Sequence, residues 1–85
     1  MATWLDLVAR LEETLYADER LHAEAVYRGD GLPHWLSQPL ETATANADER
    51  SPVVVLNVKG RSVQDSLCLL RLRDFEALLA QEAHA

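Results

Sequence analysis

The stretch that most constrains the fold is residues 53–80, VVVLNVKGRSVQDSLCLLRLRDFEALLA. It opens on a β-branched run, 53–58, bounded by Pro52 and by Lys59-Gly60, which is the composition and punctuation of a strand. A second apolar run, 66–72, follows the turn and suits antiparallel pairing. Setting Val58 against Leu67, Leu56 against Leu69 and Val54 against Arg71 puts Asn57/Cys68, Val55/Leu70 and Val53/Leu72 on the other face, so four pairs of six are apolar on both sides. Asp74 then caps a C-terminal helix over about 74–83, with Phe75, Leu78 and Leu79 facing inward. The same residues admit a rival. Ser62 and Asp65 form a cap pattern, and Cys68, Leu72, Phe75 and Leu79 recur at helical spacing, giving strand 53–58 followed by one long helix, 63–83.

Upstream, Thr3 and Asp6 have the form of a capping box with Asp in place of Glu, and Trp4, Val8, Leu11 and Leu15 recur at helical spacing behind it. These predict an N-terminal helix over about 3–28, either continuous or broken near 18, where the stripe is lost at Asp18 and His22. Gly29 is its expected left-handed cap, and Gly31 and Pro33 end it. Residues 32–52 hold all three prolines, at 33, 39 and 52, and read as a long connection anchored on the core by Trp35 and Leu36. The expectation is one small α+β domain, 1–85.

Composition sets the function classes. No apolar run approaches the roughly 18–20 residues of a membrane span, and the first residues, MATWLDLVARLEE, lack the basic start of a secretory signal. The single cysteine, Cys68, makes no internal disulfide and suits a reducing cytoplasm, where it is expected as a small buried residue. The net charge of −6 is uneven. Residues 1–52 hold ten acids against four arginines, while residues 53–85 hold four of each sign. Direct binding to nucleic acid is disfavoured, because a phosphate backbone requires clustered Lys and Arg. A basic protein surface is the better partner.

No catalytic, cofactor or metal constellation is present, so an enzyme is not expected. His22-Ala23-Glu24 matches half of a zinc deaminase signature, but the P-C-x-x-C half is missing from a chain with one cysteine. His22, His34, His84 and Cys68 lack zinc-ligand spacing. Arg28-Gly29-Asp30 reads as a helix end and turn, and Gly29, Gly31 and Gly60 fit no phosphate-binding loop. Pairs such as Asp6/Arg10 and Glu24/Arg28 suit a solvated helix face. The acids left over, Glu12, Glu13, Asp18, Glu19, Asp48 and Glu49, are relieved only by Arg20 and Arg50. Gathered on one side, they would present a negative surface to a basic groove, with Trp35, or Tyr16 and Tyr27, as aromatic anchor.

In size, acidity and lack of catalytic residues the whole chain resembles the small inhibitors of phages and mobile elements, of which anti-CRISPR proteins are one group. The resemblance is one of general character, without a motif, and carries over no residue. It implies a non-enzymatic inhibitor or modulator that occludes a basic, nucleic-acid-binding protein or complex. The alternative is a small accessory or assembly protein that forms a homodimer through an apolar face or a hairpin edge.

Overall fold

Thr3 starts the first helix, α1 (Trp4–Glu13), by a reciprocal cap: the Asp6 amide donates to Thr3 Oγ1 at 3.2 Å and the Thr3 amide donates to Asp6 Oδ2 at 2.9 Å. The structure is a computed structural model that describes residues 3–83. Its elements run α1, α2 (His34–Ala47), β1 (Val54–Leu56), a 3₁₀ turn (Val63–Asp65), β2 (Leu67–Leu69) and α3 (Leu72–Ala83). The α+β expectation holds, with the hairpin between the second and third helices. The chain forms two compact units, Met1–Gly31 and Leu32–Ala85.

In the N-terminal unit the helix ends at Glu13, not near 28. Thr14 leaves helical geometry, its amide and the Tyr16 amide both donate to the Leu11 carbonyl, and its hydroxyl donates to the Arg10 carbonyl at 2.9 Å. Beyond it, Asp18 Oδ1 accepts from the Arg20 amide at 2.9 Å, an Asx turn that diverts the backbone from a helix. Residues 21–28 form neither helix nor strand. They are rich in helix formers but offer no apolar stripe to bury, and propensity alone does not hold a segment this short. Gly29 therefore caps no helix and its φ is not positive. Leu11, 5% exposed, is the buried residue of α1, and the Trp4 and Tyr27 rings meet edge to face at 6.4 Å.

In the C-terminal unit the expected connection is largely a helix. Leu36, Leu40, Ala43 and Ala47 recur along one side of α2, with Leu40 (8% exposed) and Ala47 buried and the other two half-buried. The Pro33 carbonyl accepts from the Leu36 and Ser37 amides at its start. At its end Asp48 turns into positive φ, 56°, and Arg50 returns over the last turn, donating from Nε to the Ala47 carbonyl and from Nη2 to the Asn46 carbonyl, both at 3.0 Å. Pro39 sits inside the helix, where its ring removes the donor that would reach the Trp35 carbonyl.

The hairpin pairs Val54 with Leu69, Val55 with Cys68 and Leu56 with Leu67, two residues out of the expected register, and each strand has three residues. A slip of two keeps every side chain on its expected face. The reason lies in the connection. Gly60, with φ of 89°, sits third in a turn closed by the Arg61 amide on the Val58 carbonyl, so Val58 belongs to the turn and not to the ladder. The Ser62 and Asp65 pattern makes a single 3₁₀ turn, with the Ser62 hydroxyl donating to Asp65 Oδ2 at 3.0 Å, and not the long helix of the rival reading. Asn57 donates to the Ser66 hydroxyl one step beyond the ladder. Leu36 and the Val54/Leu56 face of the sheet border a hollow of about 210 Å³. Helix α3 begins at Leu72, so Asp74 lies in its first turn and is not its cap. Arg71, just before it, donates to Thr44 Oγ1 at 2.8 Å and ties the end of the hairpin to α2.

Candidate interaction surfaces

The core is thin. Among the described residues the buried hydrophobic side chains are Leu11, Leu40 and Ala47, and none is wholly enclosed. Apolar surface is correspondingly exposed, and in the C-terminal unit it is organised. Trp35, expected on the core, is instead 60% exposed. It lines an open groove of about 660 Å³ together with Gln38, Pro39, Thr42 and Ala43 of α2 and with Val53 and Val54. Trp35, Pro39 and Ala43 are spaced by four, so the helix presents them in one row. A second hollow, of about 290 Å³, shares Ala43 and Val53 with the groove and extends to Arg50 and Pro52. Among the described residues Arg50 is the one charged residue lining either hollow. Carboxylates are absent from both linings, as at the centre of a protein interface.

The expected acidic residues fall into two sets. Glu12 and Glu13 end α1 and are exposed, as is Glu19, all in the N-terminal unit. Asp18 in the same unit is engaged: Arg20 donates from Nε to Oδ1 at 3.1 Å and from Nη2 to Oδ2 at 2.8 Å. These hydrogen bonds and that from the Arg20 amide lower its pKa from 3.8 to about 2. Asp48 and Glu49 lie in the C-terminal unit, exposed at the end of α2, immediately before the Arg50 that lines the second hollow. By sequence the unit 1–31 carries seven acids and three arginines, and 32–85 seven acids and five bases, so −4 of the net −6 belongs to the first.

The remaining candidates do not converge. His22 Nε2 and Glu24 Oε2 lie 4.0 Å apart, both highly exposed. His34 opens α2, and His84 lies outside the described residues. Among the described residues no three His, Cys, Asp or Glu side chains gather as metal ligands, and no helix is long and apolar enough to cross a membrane. Cys68 is exposed on the sheet, correcting its expected burial, because the face it shares with Val55 (63% exposed) is open to solvent.

The sequence points to Trp35 but not to the groove it lines, since four more of the lining residues come together only once α2 is formed. The signal was the helical recurrence of Leu36, Leu40, Ala43 and Ala47, spaced by four, three and four, across Pro39. No family model, no curated protein and no solved structure matches this chain, so no relative lends it a function.

Proposed function

We propose that this chain is a non-enzymatic protein-binding module, an inhibitor or modulator of the anti-CRISPR-like kind. It anchors on its partner through the Trp35 groove and is steered by its acids to a basic, nucleic-acid-binding surface. The observation that carries the reading is the exposure of Trp35 in the lining of an open, largely apolar groove. A large aromatic side chain beside an uncharged cleft is the type of residue that dominates binding energy. Asp48 and Glu49 at the end of α2 supply a negative rim, and Glu12, Glu13 and Glu19 add long-range attraction. The cytoplasm is the compartment where such a partner is met.

The test is a titration of the purified partner, recovered by tagged capture from the source cell, against wild type and two variants. Trp35→Ala weakens binding at least about tenfold. Reversing Glu12, Glu13, Asp18 and Glu19 to Lys lowers affinity and flattens its salt dependence. Unchanged affinity in the charge-reversed protein sinks the steering role, and unchanged affinity in Trp35→Ala sinks the anchor. A second reading, a self-associating accessory or assembly protein, is favoured by a separate observation: among the described residues no helix packs against β2 as closely as α2 packs against β1.

A further inference from the structure

We infer that the outer edge of β2 pairs with β2 of a second copy, joining two hairpins into one four-stranded antiparallel sheet of order β1-β2-β2-β1. The inference rests on the second reading above and gives it a surface and a register, without using any residue of the Trp35 groove. A two-stranded hairpin has two outer edges. Among the described residues helix α2 packs against β1 more closely than any helix packs against β2, where Leu36 of α2 reaches only a shared hollow with Leu67 and Leu69. Residues 66–70, SLCLL, contain neither a charge nor a proline, the usual guards of an exposed edge. Leu67 is 60% exposed there and Cys68 is exposed beside it. An isolated two-stranded hairpin is marginal in water, and doubling it to four strands relieves that weakness.

The identity of the occupant follows from the sequence of β2, which is complementary to itself. Antiparallel pairing about a two-fold axis at Cys68 sets Leu67 opposite Leu69 of the other copy and Cys68 opposite Cys68. One step further out Ser66 meets Leu70, and at the margins Asp65 comes to the same end of the ladder as Arg71 of the other copy, twice by symmetry. Among the described residues both have neutral hydrogen-bond partners: Asp65 accepts from the Ser62 hydroxyl, and Arg71 donates to Thr44. Centring the axis on Leu67 or Ser66 sets Asp65 against a leucine, and centring it on Leu69 or Leu70 sets Arg71 against one. Only the Cys68-centred register is free of that mismatch. Its open face then carries Val55, Cys68, Cys68 and Val55 in a row across four strands, and its other face adds Leu69 beside the exposed Leu67. The short ladder places the association in the weak class, below the roughly 1,200 Å² of a standard interface.

The test uses the intact chain under reducing conditions in sedimentation equilibrium over rising concentration. Wild type passes from monomer to dimer. Asp65→Arg and Arg71→Asp each set like charges together and weaken their own dimers roughly tenfold. Mixing the two variants restores the dimer, because each arginine end then faces an aspartate end. A defect of folding in either variant does not produce that recovery. Glutathione disulfide added to wild type converts the dimer to a Cys68–Cys68 disulfide: two thiols lose two protons and two electrons, and one glutathione disulfide is reduced to two thiols. A wild type that stays monomeric overturns both this pairing and the second reading. A dimer that the single variants leave untouched, or that their mixture fails to restore, overturns the β2 pairing alone.

Discussion

The two units are held by different kinds of bond. In the N-terminal unit the Thr3–Asp6 box, the Asp18–Arg20 fork and the Arg28 guanidinium on the Gly31 carbonyl each span three residues or fewer, and the Trp4–Tyr27 ring contact reaches across the unit without a hydrogen bond. In the C-terminal unit the Arg50 cap is equally local, but a strand ladder and the Arg71–Thr44 bond, which spans 27 residues, join elements distant in sequence. Local bonds fix the path of a chain but add little cooperativity, whereas distant ones stand or fall together. The N-terminal unit should therefore open piecemeal and the C-terminal unit as a whole.

The sharpest way to break the comparison is Leu40→Ala. It empties the most buried large side chain of the C-terminal unit and should cost about 2–5 kcal/mol there. Amide exchange should rise together across α2 and the hairpin while α1 is unaffected. Loss of protection confined to the turn around Leu40 would show that this unit is no more cooperative than the other.

Pro39→Ala acts in the opposite direction. It restores a helix donor toward the Trp35 carbonyl and should stabilise α2 by roughly 1–3 kcal/mol, read as a raised midpoint in urea. Because Pro39 also walls the groove, a stability gain accompanied by weaker partner binding would mark the proline as kept for the surface and not for the fold. In the N-terminal unit Thr3→Ala removes one half of the capping box and should cost about 1 kcal/mol of helix stability. The change should appear as fraying of α1 in circular dichroism, with the hairpin unchanged.

What was legible in the sequence follows the same division. The start of α1, the hairpin and the terminal helix were readable because a cap, a β-branched run and an apolar stripe each announce themselves within a few residues. The end of α1 was not, because 17–28 has helix formers without a burying face, and the Asx turn at Asp18 outweighs their propensity. Helix α2 was hidden by Pro39 and by a small-residue stripe in which Ala43 and Ala47 stand for larger hydrophobes. Its capping arginine, three residues past the end, is visible only once the end is known. The register slipped by two because Gly60 takes Val58 into the turn, which apolar matching alone does not weigh. For the surfaces, residue type named Trp35 and the acids. The groove, the outer edge of β2 and the engagement of Asp18 required the backbone.

Asp18 gives the smallest and most local of these tests. Its carboxylate, held by the Arg20 fork, has a pKa lowered from 3.8 to about 2, so the folded N-terminal unit binds this proton less readily than the unfolded chain. The contribution of the fork is complete above 3.8 and is lost as pH falls toward about 2. Carboxyl titration by nuclear magnetic resonance should place the Asp18 midpoint near 2 in wild type and move it back toward 3.8 in Arg20→Ala. Over the same window the turn at 18–21 should loosen while the hairpin amides keep their protection, since the Asp18 fork lies wholly within the first unit. An unshifted Asp18, or a hairpin that loosens in step with it, would remove the distinction between local and distant bonds from which the two units were contrasted.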